Sequence, residues 1–360
     1  MGAVVVLLAA LVAPIAGASA RAAPDLGTFA GYEAVHRDVR SVRGSWVVPR
    51  VVRDGSLGHQ SSSWIAAQGV GSPSQAPFIQ VGINNVVGVR GNGEASAFWS
   101  DTAVDFQPLP LKVWVKAGDR LGASLTLVGG RWHVVLDDLT THRVARVSTA
   151  QESRARFEGG QWLEEDPQLR YVGPGPPVGV PFARTSTVRF SALELNGSPP
   201  TRESLYSLWM SLPHATLGPT PLVGDSFAVV PKRLRPAAAR YLTLVTPEDR
   251  AEGAFDAALS SWLRGGPSSA IVPLAARLTG ELQAVIIGLT GPGWPTSSAT
   301  ARASLVAANR RLIASLARIP ALPPSARRGW ERGWARLSAR VTLRGRALRN
   351  VLGAPGITPY

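Results

Sequence analysis

Leu111-Lys112-Val113-Trp114-Val115 and Ala123-Ser124-Leu125-Thr126-Leu127-Val128 decide the architecture of the larger part of this chain. In both runs every second residue is apolar, the period of a strand with one face buried and the other solvated. Working outward, Ser45-Trp46-Val47-Val48 and Ser186-Thr187-Val188-Arg189-Phe190 are equally rich in β-branched and aromatic residues. Clusters of Gly, Pro, Asp and Asn separate such runs. His133 to Val135, then Asp137-Asp138, then Val144 to Val147 reads as strand, acidic turn and strand. Many short strands punctuated by turns predict an all-β sandwich or barrel.

The pattern changes after Pro231. Thr246-Pro247-Glu248-Asp249 has a hydroxyl for the N-cap, proline at the first helical position and acids in the first turn. It predicts a helix from 246 to about 263, with 232–245 as a linker. Further helices are expected over 268–289, over 299–319 and from about Pro324. In the last, Trp330, Trp334, Leu337, Val341 and Leu348 share one face, with Arg332, Arg336, Arg340, Arg346 and Arg349 largely elsewhere.

Composition supports two units. A chain of 360 residues with 45% hydrophobic and 17% charged residues is globular, and it is long enough for two domains. The net charge of +14 is uneven. Residues 1–231 hold 19 Lys and Arg against 18 Asp and Glu, whereas residues 232–360 hold 19 against 6. Between Arg302 and Arg349 stand 12 arginines and a single acid, Glu331. That stretch reads either as a solvated helix face or as a surface for anionic headgroups or a cell-wall polymer. Export disfavours nucleic acid as the partner.

Export itself is expected from the N-terminus. Val4 to Ile15 is an apolar run too short to span a bilayer, and Ala18-Ser19-Ala20 reads as a cleavage site, so residues 1–22 are expected to be a signal peptide. The protein is then secreted or extracytoplasmic. The chain has no cysteine, which excludes thiolate chemistry. His36, His59, His133, His142 and His214 lack the spacing of metal ligands. No G-x-S-x-G, P-loop or dinucleotide fingerprint is present; Gly91-Asn92-Gly93 reads as a turn.

Six segments, in order, carry a resemblance. They are Phe29-Ala30-Gly31-Tyr32 with Ser41 to Pro49; Ser63-Trp64-Ile65-Ala66-Ala67-Gln68-Gly69; Phe78-Ile79-Gln80-Val81-Gly82-Ile83; Ala97-Phe98-Trp99; Gly160-Gln161-Trp162-Leu163-Glu164-Glu165-Asp166-Pro167; and Pro181-Phe182-Ala183 with Thr185 to Phe190. Together they resemble the glutamic peptidase (eqolisin) family over roughly residues 27–231, with Asp225 to Val230 similar to its final strand. The resemblance implies a two-sheet antiparallel β-sandwich of concanavalin-like form, followed here by a smaller basic helical domain at 246–353. It also implies hydrolysis of peptide bonds at acid pH by a glutamate and a glutamine, without metal or cofactor. The glutamate draws a proton from water as general base, and the glutamine amide holds the oxyanion.

Residue by residue, the family's glutamine falls on Gln80, but its glutamate falls on Gln161. An amide does not ionise in the working range and cannot accept water's proton. The family's aspartate after W-V-G-I falls on Gln68, and the glutamate of its aromatic run on Ser100. Glu165 is a possible substitute acid on the same strand face as Gln161, with Asp101 and Glu94 as remoter candidates. Trp64, Gln68, Phe98, Trp99 and Trp162 are candidates to line a peptide groove. The tryptophans fit a sandwich core equally well, and Gln80 also fits a hydrogen-bonded polar side chain inside the sandwich. The sequence therefore predicts an exported homologue impaired at Gln161 that keeps a peptide-binding cleft. The alternative is an active acid endopeptidase using Gln80 and a rearranged carboxylate.

Overall fold

The computed structural model describes residues 27–52, 58–69, 76–88, 93–104, 107–151, 155–167, 169–170, 178–179, 181–201, 204–212 and 215–354. The N-terminal apolar run and its cleavage site, His214 and the Gly91-Asn92 pair lie outside them. The first ten strands are β1 (Phe29–Val35), β2 (Ser41–Val47), β3 (Gln60–Gly69), β4 (Phe78–Val87), β5 (Gly93–Asp101), β6 (Leu109–Trp114), β7 (Arg120–Val128), β8 (Arg131–Asp138), β9 (Arg143–Ala150) and β10 (Phe157–Glu165). Then follow β11 (Leu169–Arg170), β12 (Val178–Gly179), β13 (Arg189–Leu195), β14 (Leu205–Leu208), β15 (Met210–Leu212), β16 (Ala215–Pro219) and β17 (Phe227–Lys232).

These strands build two large antiparallel sheets. One has seven strands in the order β14-β1-β10-β3-β4-β5-β6, and the other has eight in the order β15-β16-β17-β13-β2-β7-β8-β9. Strands β11 and β12 form a separate small ladder. The alternation seen in the sequence sorts the side chains. Ile65, Ile79, Val81, Ile83, Trp99 and Trp162 of the seven-stranded sheet meet Val42, Trp46, Leu121, Leu125, Val134 and Phe190 of the other in the main core. Burying such faces against each other is the main driving force for the sandwich.

Two expectations about local structure are corrected. Asp137 and Asp138 end β8 rather than forming the turn, which falls on 139–142. Asp138 still organises that turn, because its carboxylate accepts from the N–H groups of Thr140 and Thr141 and from the Thr141 hydroxyl. His142 closes the turn with φ of 58°.

The second correction concerns the linker. Helix α1 covers Pro236–Leu263, so most of 232–245 is helical and Pro247 lies inside the helix. Pro236 supplies the fixed φ that favours a first turn, and three alanines follow it. Pro247 removes one backbone N–H, a cost offset by burying Tyr241, Leu242, Val245 and Ala251. Thr246 does not cap a new helix; its hydroxyl donates to the Leu242 carbonyl one turn back.

Helices α2 (Ser268–Thr290), α3 (Ala299–Leu316) and α4 (Arg327–Leu352) complete a second body with its own core. Helix α2 is long and apolar enough to cross a membrane by length and composition alone, yet Ile271, Leu278, Leu282, Val285 and Leu289 are buried in that core. Trp330 and Trp334 stack at 5.6 Å and pack with Phe255 and Trp262, so they fill the interior instead of facing an interface. Arg327 is buried, with one guanidinium nitrogen donating to the carbonyls of Trp262 and Gly266 at the end of α1. A cation there complements the helix C-terminus. The helical body meets the sandwich at edge strand β14 and the residue after it. Trp209 packs against the helical core, and the Arg346 guanidinium lies 3.3 Å from the centre of the Tyr206 ring.

Candidate functional site

Residues directly opposite one another in an antiparallel ladder project to the same face. Tyr206 on β14 lies opposite Glu33 on β1, and Glu33 lies opposite Gln161 on β10. Gln161 pairs with Ala66 on β3, Ala66 with Gln80 on β4, and Gln80 with Ser100 on β5. One row therefore crosses the outer face of the seven-stranded sheet: Tyr206, Glu33, Gln161, Ala66, Gln80, Ser100. Beside it Trp64, Phe98, Leu163 and Leu208 form a small apolar cluster, with Phe29 and Phe78 packed against it.

The amides in this row are fixed by one another. The Gln80 amide nitrogen donates to the Ser100 hydroxyl at 2.8 Å, while its carbonyl oxygen is buried with no hydrogen-bond partner. The Gln161 amide nitrogen donates to the carbonyl oxygen of Gln68 at 2.5 Å and also hydrogen-bonds the Glu33 carboxylate. The three neutral positions that the sequence singled out, Gln68, Ser100 and Gln161, thus share one face with Gln80. Gln161 and Gln80 are separated by one intervening strand, about 10 Å between backbones at ~4.8 Å per strand.

Two of the expected groove residues are elsewhere. Trp162 is fully buried between the sheets, where its indole N–H donates to the Arg43 carbonyl at 2.6 Å. A side chain on Gly44 would sit 2.8 Å from the Trp162 ring, so that glycine lets the sheets close over the indole. Trp99 also belongs to the inner core. Parity along the strand is the reason, since each is adjacent to an outward-facing residue. Trp64, Gln68 and Phe98 do face outward.

The candidate acids separate clearly. Glu165 shares the outer face but lies four residues from Gln161, roughly 13 Å at ~3.3 Å per residue. Its carboxylate accepts from the Trp64 indole N–H at 2.7 Å. Burial pushes the Glu165 carboxyl up to about 7 despite that bond. Glu164 points inward, accepts from the Ser63 hydroxyl at 2.5 Å, and is pushed by burial to about 8. Asp101 lies opposite the core residue Ile79 and accepts from the Ala103 N–H. Glu94 is exposed and shares the outer face, but it is six residues from Ser100, roughly 20 Å along the strand.

Glu33 is the carboxylate that sequence reasoning missed. It stands in the row itself, directly beside Gln161. The first matching segment ends one residue short of it, and nothing in the sequence reveals that β1 pairs with β10. Burial raises the Glu33 carboxyl to about 7, opposed by the hydrogen bond from Gln161 and by the field of Arg346 on α4. Gly159 makes room for it, because a Cβ there would lie 2.7 Å from Glu33 Oε1. Among the described residues, no three His, Asp or Glu side chains are grouped as a metal site.

Residues 27–201, just under half of the chain, match the model of the Peptidase A4 family. No curated protein matches the chain significantly. Scytalido-glutamic peptidase, solved with a transition state analog inhibitor, is 16% identical with a TM-score of 0.47, over 57% of this chain and 98% of its own. SCP-B, an eqolisin solved with the tripeptide Ala-Ile-His, is 16% identical with a TM-score of 0.44 over the same shares. Aspergilloglutamic peptidase from Aspergillus niger is 14% identical with a TM-score of 0.36, over 48% of this chain and 99% of its own. Over residues 27–201 the sandwich of this chain matches the Peptidase A4 family, the family of glutamic peptidases.

Proposed function

We propose that the outer face of the seven-stranded sheet is a cleft for an extended polypeptide, in a family member whose own catalytic pair is disabled. The observation that carries this reading is the row of mutually bonded neutral groups, Gln80 with Ser100 and Gln161 with Gln68, where the family's chemistry needs an ionising base. General-base catalysis is worth about 10²–10⁴ in rate. Here the lost base would also have created the nucleophile. The amides and the apolar cluster around Trp64 and Phe98 still suit a peptide, whose backbone needs hydrogen bonds and whose side chains need apolar contact.

The test is calorimetric titration with an unfolded polypeptide of mixed sequence, beside Phe98→Ala. Binding by the wild type that weakens about tenfold in the variant is the expected result; absence of binding by the wild type overturns the cleft. Introducing Gln161→Glu should add hydrolysis at acid pH that depends on Gln80. If it adds none, Gln161 is not what disables the family pair.

Export and surface attachment belong to the same proposal. Arg328, Arg332, Arg336, Arg340 and Arg344 recur every fourth residue along the exposed side of α4. Arg311, Arg340 and Arg344 line a groove of about 480 Å³ between α3 and α4. With Trp330 and Trp334 buried, attachment to an anionic surface rests on charge and not on an inserted aromatic side. Co-sedimentation with anionic vesicles at low salt checks it; failure to sediment removes the surface role.

A further inference from the structure

We propose that Glu33 is a general base displaced by one strand, and that with the Gln161 amide it forms a second glutamate–glutamine pair able to hydrolyse a bound peptide. The inference rests on the outer face accepting a polypeptide, and it assigns the rearranged carboxylate to a residue.

Four observations converge on Glu33. It lies in the polar row, opposite Gln161, at a residue that keeps part of its surface exposed. The Gln161 amide is oriented, since the bond to Gln68 fixes its plane and its remaining N–H points to Glu33. Gly159 leaves the space into which the carboxylate extends. The other acids near the row are engaged or remote: Glu165 is held by Trp64, Glu164 and Asp101 belong to the inner side, and Glu94 is at the far end of β5. The raised Glu33 carboxyl, at about 7, suits a base working near neutrality, where enough is ionised and the proton affinity is still high.

The charged group facing Glu33 from another element is Arg346 of α4, which also covers Tyr206, the next residue of the row. No ion pair joins Arg346 to Glu33; the guanidinium acts through its field and favours the ionised carboxyl. Arg346 is thus a positioning residue. The helical body absent from the matched family region would set the working pH of a group in the sandwich.

The step balances as follows. Glu33 takes a proton from water while the water oxygen bonds to the scissile carbonyl carbon. The carbonyl π electrons move onto its oxygen, which accepts the Gln161 N–H directed towards Glu33 as the proton arriving on Glu33 removes that carboxylate's charge. Collapse re-forms the carbonyl and breaks the carbon–nitrogen bond, and the leaving nitrogen takes the proton from Glu33. The products are a carboxylic acid and an amine, and the carboxylate is regenerated.

The experiment follows hydrolysis of the same unfolded polypeptide by the full chain between pH 3 and 9, beside Glu33→Gln and Arg346→Gln, with binding measured in parallel. Expected are slow cleavage by the wild type that rises through about pH 7, and a loss of about 10² or more in Glu33→Gln with binding retained. In Arg346→Gln the rising limb should move to higher pH, because the field favouring the ionised carboxyl is gone. A purely structural Arg346 would not move that limb. Binding without cleavage by the wild type overturns the Glu33 pair alone, whereas absence of both overturns the cleft as well. Unchanged cleavage in Glu33→Gln, or an unmoved limb in Arg346→Gln, also overturns the assignment.

Discussion

The two faces of strand β10 obey different rules although their residues alternate one by one. Trp162 faces inward, fully buried, with its N–H satisfied by Arg43 and its ring covered by the other sheet through Gly44. Gln161 faces outward and is almost as deeply buried, but its neighbours are amides and a carboxylate. Burial inside an apolar core stabilises through area removed from water. Burial among polar groups is tolerated only while each is paired. The inner face is therefore a source of stability, and the outer face holds paired polar groups at some cost.

The largest test of that contrast is Trp162→Ala. It should lower unfolding free energy by about 3–5 kcal/mol in a denaturant titration, the usual cost of emptying a large aromatic site. Trp64→Ala on the opposite face should cost less stability, because Trp64 belongs to the small outer cluster, and should release Glu165 from the indole N–H that it accepts. Equal losses from the two would erase the distinction between the faces.

A second test uses pH. Burial raises the folded-state carboxyls of Glu164 to about 8, of Glu33 and Glu165 to about 7, and of Asp249 and Asp256 to about 6. Their ordinary values are 4.5 for Glu and 3.8 for Asp. The folded protein then binds more protons than the unfolded chain between those limits. The stability contributed is complete below the unfolded values and is lost as pH rises through the folded ones. Thermal unfolding should therefore occur at higher temperature at pH 5 than at pH 8, and Glu164→Gln should flatten the upper part of the profile. Asp138 runs the other way: burial pushes it up, but the hydrogen bonds from Thr141 and Thr140 outweigh that and hold it low. Its contribution is lost only in stronger acid. A melting temperature that is level or higher at pH 8 would show these carboxyls already ionised at pH 5 in the folded state.

The smallest effect on stability is expected from Gly159→Ala. The added methyl meets the end of the Glu33 side chain, which can swing, so a loss of about 1 kcal/mol or less is expected. Any Glu33-dependent hydrolysis should fall further than stability does. If both stay at the wild-type level, the carboxylate does not use the space over Gly159.

The strands and the outer candidates Gln80, Gln161, Gln68, Trp64 and Phe98 were legible because alternation and ordered motifs are local properties of the chain. Trp99 and Trp162 face the inner core instead, because one residue along a strand moves a side chain to the other face. Helix α1 begins before Thr246-Pro247, although that pair carries the local start signals, because burying Tyr241, Leu242 and Val245 stabilises the turns ahead of it.

By itself the sequence determined the division into a strand-rich half and a basic helical half, and that position 161 carries an amide that cannot ionise. Both follow from residue type and spacing alone. Only the tertiary structure decided that Glu33 stands beside Gln161 and that Arg346 reaches it from α4. Pairing between β1 and β10, and the docking of α4 against β14, join segments far apart in the chain. The free energy that selects them comes from faces buried together, which no local pattern records.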